Sequence, residues 1–151
     1  MKQDIPGVEV LFVAGFGPIT RSTDASTSFY KTSLGLPLKE MEGNEEYLLT
    51  EVDQLAGVNH FALWPLSQAA ISCFGHEQWP SDLLVPQAWI EFEVRDIDAA
   101  TQALIGQGYE LLIANRIEPW GQTVTRLLSP EGLLVGVTIT PWLREGIKNA
   151  G

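Results

Sequence analysis

The segment GFGPITRSTDASTSFYKTSLGLPL, residues 15–38, decides the fold because its plan returns as WIEFEVRDIDAATQALIGQGYELL, residues 89–112. Each copy runs from a strand-like stretch through a capping residue into an amphipathic helix, and then leaves the helix near a glycine. The two copies align when Asp24 is set on Asp98, with one residue of slip at the later glycine. An internal repeat of this kind predicts two copies of one supersecondary unit.

Three further strand signals follow each predicted helix, separated by Gly, Pro, Asn and Ser. In the first half they are residues 39–42, 46–52 and 60–66, and in the second half they are residues 109–115, 122–128 and 133–139. The pattern therefore predicts an α+β fold with two βαβββ modules in tandem. We expect one domain, 1–151, made of a first module at 8–66, a helical linker at 67–86, a second module at 87–140 and a C-terminal tail at 141–151.

Composition limits the class of protein. A chain of 151 residues can bury a core in one domain, and the single Cys73 cannot form an intramolecular disulfide. No apolar run approaches the roughly 18 residues of a membrane span, and the first residues do not resemble a leader. Nineteen acidic and nine basic residues give a formal net charge of −10, which repels nucleic acid and anionic membranes. We expect an acidic, cytoplasmic protein with neither nucleic acid nor membrane as partner.

The segments FYKTSLGL, residues 29–36, and PWGQTVTRLLSPEGLLVGV, residues 119–137, resemble the vicinal oxygen chelate superfamily when taken with the paired modules. This superfamily contains glyoxalase I, extradiol dioxygenases, fosfomycin-modifying enzymes and bleomycin-binding resistance proteins. The resemblance implies mixed sheets curled around a shared cavity, commonly in a homodimer. It implies no single function, because the same fold hosts metal-dependent enzymes and metal-free binding proteins.

The resemblance also implies four positions for metal ligands, one on the first and one on the last strand of each module. Here the first-strand positions are Gly15 and Trp89, and the last-strand position of the second module is Gly136. The matching position in the first module is His60 or Phe61. Glycine has no side chain and an indole nitrogen is only a donor, so neither binds a divalent ion. We expect no metal and no other cofactor, with a site rebuilt around His60 and Glu91 as the alternative.

Strand alternation selects the candidate site residues. If Trp89 faces the cavity then Glu91 does too, while Glu93, nearer the strand end, is expected to meet solvent. Trp89 either stacks on a planar ligand or plugs the cavity. Arg126 lies near the cavity or, more commonly for such a residue, pairs with an acidic surface group. The predicted ligand-binding residues come from the strands that face the cavity and from the turn at its rim. They are Trp89, Glu91, His60, Trp120, Gln122, Gly15 and Gly17.

These residues predict a metal-independent binding protein of the glyoxalase/bleomycin-resistance type. It would sequester a cationic or aromatic small organic molecule in the cavity between the modules, and it would form a homodimer. The alternative is a glyoxalase-like or dioxygenase-like enzyme, a lyase or isomerase, that uses the rebuilt metal site or Glu91 as a general base. A third alternative is an inert scaffold with a filled cavity. The sequence does not decide whether the protein is an enzyme, and Glu91 is the only catalytic candidate.

Overall fold

The computed structural model describes residues 7–144, which fold in the predicted order of strand, helix and three strands in each half. The predicted α+β class is therefore confirmed, whereas the first six residues and most of the predicted tail lie outside the described residues. A short π-helical segment, Ser28–Ser33, extends the first helix, and a 3₁₀ turn, Pro141–Leu143, follows the last strand. The strands and helices are β1 Val10–Thr20, α1 Thr23–Thr27, β2 Lys39–Met41, β3 Asn44–Leu49, β4 Ala62–Pro65, α2 Leu66–Phe74, β5 Ala88–Val94, α3 Ile97–Gly106, β6 Ile113–Ile117, β7 Thr123–Leu128 and β8 Leu134–Ile139.

The strands form one curled, unclosed sheet in the order β2-β3-β4-β1-β5-β8-β7-β6. The two modules join through the antiparallel pair β1–β5, and each of these strands has the last strand of its own module as a parallel neighbour. Ile19 lies opposite Trp64 in the first module, and Glu93 lies opposite Thr138 in the second. The residues of the second pair are those of the first pair shifted by the same offset that sets Asp24 on Asp98. The two modules therefore repeat their strand register as well as their sequence pattern.

Side-chain caps begin the repeated helices where the sequence placed them. The Ser22 hydroxyl accepts a hydrogen bond from the Ala25 amide at 3.2 Å, and the Asp96 carboxylate accepts one from the Ala99 amide at 3.0 Å. Each cap satisfies one of the amides that a helix start leaves without an intrahelical partner. Among Ser22 and the two residues after it, all of which were candidates for the first cap, the structure selects Ser22.

The linker helix α2 closes one end of the core. Its residues Ala69, Ala70 and Cys73 are buried, and Ala69 and Cys73 belong to the same hydrophobic cluster as Trp64 and Trp89. Burial raises the pKa of the Cys73 thiol to about 11, so this cysteine stays a thiol at neutral pH. Within residues 7–144 no helix is long and apolar enough to span a membrane.

Candidate functional site

A cavity of about 260 Å³ opens on the concave side of the sheet. Both modules and α2 contribute to its walls, as the resemblance implied. Its volume lies just below the roughly 300–1,000 Å³ that is usual for small-molecule sites, so it suits a small ligand. Four of the five tryptophans of the chain line it, with other aromatic, aliphatic and polar residues around them: Trp64, Trp89, Trp120, Trp142, Tyr47, His60, Met41, Ile71, Leu143, Asn44, Gln68, Ser72, Glu91, Arg116, Glu118, Gln122 and Arg126.

The buried guanidinium of Arg126, on β7 opposite Gly136 of β8, forms part of the cavity wall. The Arg126 side chain is 1% exposed, and its Nη1 donates to Glu91 Oε2 at 2.7 Å. Its Nη2 lies 3.4 Å from Glu118 Oε2 and its Nε donates to Ser72 at 3.2 Å, while the guanidinium carbon lies 4.7 Å from the centre of the Trp64 ring. Burial alone lowers the pKa of Arg126, but the neighbouring carboxylates raise it above its usual value. The more common expectation, a surface ion pair, is wrong for this residue.

Glu118 is a site residue that the sequence analysis missed. Its side chain is 1% exposed, Oε1 accepts from Arg116 Nε at 2.7 Å, and Oε2 accepts from the Ser72 hydroxyl at 2.5 Å. Arg116 and Glu118 are two residues apart, with the exposed Ile117 between them. The alternation applied to β5 would therefore have placed both on one face here as well. We call the four residues Arg126, Glu91, Glu118 and Arg116 the ion network; its formal charges balance.

Three predicted site residues meet at the other end of the ion network. Gln122 Nε2 donates to Glu91 Oε1 at 2.7 Å and to the Thr138 hydroxyl at 2.8 Å. The side-chain carbonyl of Gln122 accepts from the Trp120 indole at 2.8 Å, which orients that ring at the rim. Trp120 is 43% exposed, as its predicted place in the turn required. The rim tryptophan is thus coupled to Glu91 through one amide.

Trp89 forms the floor of the cavity. Its indole is 3% exposed and stands edge-on to Trp64, with ring centres 6.0 Å apart. The indole nitrogen donates to the Ala62 carbonyl at 3.1 Å, so the ring has no free donor for a ligand. Because open volume remains above it, Trp89 does not plug the cavity, and only its ring can meet a bound molecule.

His60 also lines the cavity, where its Nε2 lies 2.8 Å from the Tyr47 hydroxyl. Burial lowers the pKa of His60, partly opposed by the charge of Glu91, while burial raises the pKa of the Tyr47 phenol. Both groups are therefore neutral at pH 7. His60 is therefore hydrogen-bonded within the protein at the cavity wall.

This histidine predicts a pH dependence of stability. Because the pKa of His60 in the folded protein is below its ordinary 6.5, the unfolded chain binds more protons in the window below pH 6.5. The free energy of unfolding should fall as the pH drops through that window. Urea unfolding of wild type and His60→Gln should show a shallower loss in the variant, whereas exposed His76→Gln should keep the wild-type slope. Parallel curves for wild type and His60→Gln would contradict the assignment.

The two glycines on β1 do not belong to the cavity lining, contrary to their predicted role. A Cβ on Gly15 would lie 2.6 Å from the His60 carbonyl oxygen and 3.1 Å from the Trp89 ring, and one on Gly17 would lie 2.0 Å from the Ala62 carbonyl oxygen. These glycines permit the close approach of β4 to β1, and Gly15 also leaves room for Trp89.

Gly136 provides space for the ion network. It lies opposite Glu91 in the β5–β8 pair, and a Cβ there would stand 3.1 Å from Glu91 Cγ and 3.4 Å from Arg126 Nη1. The matching pair in the first module sets Ala62 opposite Gly17, because Ile19 lies opposite Trp64. The count that placed His60 or Phe61 at this position is therefore wrong by one or two residues.

The residues present do not fit the divalent metal of the superfamily's metal-dependent members. The four ligand positions that the resemblance implies hold Gly15, Ala62, Trp89 and Gly136, none of which has a side chain able to coordinate a divalent ion. Both oxygens of Glu91, the carboxylate of the proposed rebuilt site, already accept hydrogen bonds from the protein. Within residues 7–144 no three His, Cys, Asp or Glu side chains are grouped closely enough to hold a metal ion.

Glu93 is buried rather than solvated. Its Oε2 accepts from the Thr140 amide and from Arg144 Nε, both at 2.6 Å, so it fixes the chain that follows β8. Trp142 and Leu143 of that chain line the cavity mouth. Strand position alone suggested solvent for Glu93, but the described end of the chain folds back over it.

A curled sheet of two βαβββ modules around a shared cavity is the fold that the resemblance implied. Comparison of the sequence with protein-family models leads to the same class. The profile of the Glyoxalase/Bleomycin resistance protein/Dioxygenase superfamily matches residues 16–137, and the chain belongs to this superfamily. Curated protein sequences give no match.

Solved structures share the fold at low sequence identity. Methylmalonyl-CoA epimerase from Mycobacterium tuberculosis has a TM-score of 0.58 at 18% identity, covering 90% of this chain and 93% of its own. A superfamily member from Vibrio splendidus 12B01 has a TM-score of 0.54 at 18% identity, covering 83% and 96%. A variant of Streptomyces coelicolor methylmalonyl-CoA epimerase, in complex with 2-nitronate-propionyl-CoA, has a TM-score of 0.54 at 19% identity, covering 88% and 99%. At such identities the likeness establishes the fold alone.

Proposed function

We propose that this protein is a metal-independent binding protein that holds a small planar organic molecule in the cavity between its modules. One observation carries the proposal: the positions that hold the metal in metal-dependent members are Gly15, Ala62, Trp89 and Gly136 here, and an internal cation, Arg126, lies next to Gly136. Four indoles and a tyrosine wall the remaining space. A preformed, largely apolar pocket of this kind favours ligands with flat ring faces.

The charges of the cavity support an aromatic ligand more than a cationic one. Two carboxylates and two guanidinium groups of the ion network balance at the wall, and His60 is neutral. The overall charge of −10 acts at long range and is screened within about 8–10 Å in physiological salt. Ring stacking therefore offers a stronger local attraction than the field of the whole protein.

The enzymatic alternative with Glu91 as general base has less support. Gln122 and Arg126 each donate to one Glu91 oxygen at 2.7 Å, so both oxygens are engaged by the protein. A general base must reach the proton that it abstracts within hydrogen-bond distance, and these two partners compete for that contact. The homodimer and the cytoplasmic location stay predictions.

Melting temperatures of chelator-treated protein test the proposal. A specific metal at about 100 times its dissociation constant would add roughly 2.7 kcal/mol, a shift of several degrees. We expect no such shift with Ni²⁺, Co²⁺, Mn²⁺, Fe²⁺ or Zn²⁺, and a concentration-dependent rise with small bicyclic aromatic compounds. A metal-dependent rise that disappears in both His60→Ala and Glu91→Ala would replace the proposal with a rebuilt metal site.

A further inference from the structure

We propose that the ligand is a neutral molecule with a single ring or two fused rings, and that it donates an N–H or O–H hydrogen bond to Glu91. This inference rests on the proposed function and assigns a chemical class to the molecule in the cavity. It follows from three properties of the walls: the space, the hydrogen-bonding atoms left over, and the balance of charge.

The space limits the ligand to a small ring system. The open volume of about 260 Å³ is bounded by the floor indole of Trp89, while Trp120 and Trp142 stand at the mouth with exposures of 43% and 51%. Because Gln122 holds the Trp120 indole, that ring is oriented before any ligand enters. A fixed aromatic wall favours a rigid planar molecule, whose ordering on binding costs little.

Glu91 is the carboxylate of the cavity wall that keeps acceptor positions open to a ligand. The side chains of Arg126 and Glu118 are each 1% exposed and bonded to one another, and the Trp89 donor is used by the Ala62 carbonyl. Glu91 is 12% exposed, more than the two deeper members of the ion network. A carboxylate has roughly four acceptor positions. Gln122 and Arg126 use one on each oxygen, so Glu91 can accept further bonds from a molecule in the cavity.

The balance of charge favours a neutral donor. A cation at Glu91 would lie close to the Arg126 guanidinium, which is 2.7 Å from the same carboxylate. An anion could meet only Arg116, whose side chain is 32% exposed, but this guanidinium is already paired with Glu118 and has Glu91 in the same cavity. A ligand of either charge would add an unbalanced charge next to the ion network, whose side chains are largely shielded from solvent. Such a charge weakens binding because it loses its hydration.

A pair of isosteric compounds tests the donor on the wild-type protein. Indole carries one N–H, whereas benzofuran has the same shape with an oxygen in its place. Calorimetric titration should give indole a dissociation constant lower by roughly ten- to a hundredfold, the usual effect of a hydrogen bond to a charged acceptor. Indole-3-carboxylate, which adds a negative charge, should bind more weakly than indole.

The variant Glu91→Gln then localises the effect. The preference for indole over benzofuran should shrink to a few-fold in this variant, while the affinity for benzofuran itself changes little. Arg95→Gln, remote from the cavity and paired with Glu9 at the surface, is the matched control and should keep the wild-type preference. If Glu91→Gln does not fold, the comparison of compounds on the wild-type protein still decides the inference.

The outcomes separate this inference from the proposed function. Equal affinities for indole and benzofuran would overturn the donor to Glu91 and leave the binding role intact. Tighter binding of indole-3-carboxylate, lost in Arg116→Gln, would overturn the neutral class in favour of an anion. Absence of binding by all three compounds up to their solubility limits would overturn the proposed function and this inference with it.

Discussion

Arg126→Ala should lower the free energy of unfolding by about 3–5 kcal/mol, because it leaves Glu91 without its cation and leaves Glu118 with Arg116 alone. Glu118 is 1% exposed and Glu91 is 12% exposed in the folded protein, so water cannot fully solvate their charges. Urea unfolding at pH 7.5 measures the loss.

A surface ion pair provides the matched control for this variant. Arg95 and Glu9 lie 3.0 Å apart with side chains 61% and 60% exposed, so Arg95→Ala should cost less than about 1 kcal/mol under the same conditions. The double variant Glu91→Gln, Arg126→Met should recover much of the lost stability, because it removes both charges of the closest pair and leaves Glu118 paired with Arg116. Similar losses in Arg126→Ala and Arg95→Ala would show that Arg126 does not hold the cavity wall together.

Gly17→Ala should destabilise the fold by roughly 4 kcal/mol or more. Its new Cβ would stand 2.0 Å from the Ala62 carbonyl oxygen and 2.9 Å from the Ala62 carbonyl carbon. Both atoms belong to the backbone, so no rotamer change relieves the contact, and β1 must separate from β4. The parallel pair of these strands lies near the centre of the sheet, so the whole first module should be affected.

Gly106→Ala is the control for a glycine without a close neighbour. No atom lies within 4 Å of a Cβ built at Gly106, which ends α3. Alanine is a better helix former than glycine, so this variant should be neutral or more stable by about 0.5–1 kcal/mol. Thermal unfolding of both variants measures the contrast, and equal melting temperatures would refute the close approach of β1 and β4.

The ion network shows where sequence reasoning about the site stopped. Period-two alternation placed Trp89 and Glu91 on the cavity side of β5, and the structure confirms that both line the cavity. The same alternation puts Arg116 and Glu118 on one face, but the sequence favours a surface position for Arg126, since an isolated arginine is most often solvated. Its burial depends on two carboxylates supplied by other parts of the chain, and no local pattern contains that information.

The sequence by itself determined the tandem modules, their capped helices and the lack of coordinating side chains at three of the four family metal positions. Those features depend on local periodicity, on capping residues such as Ser22 and Asp96, and on a repeat that preserves strand register. Only the tertiary structure shows why two of these metal positions are glycines. The space at Gly15 accommodates the His60 backbone and the Trp89 ring, and the space at Gly136 accommodates the Glu91–Arg126 pair, because steric room is a property of neighbours brought together by the curled sheet.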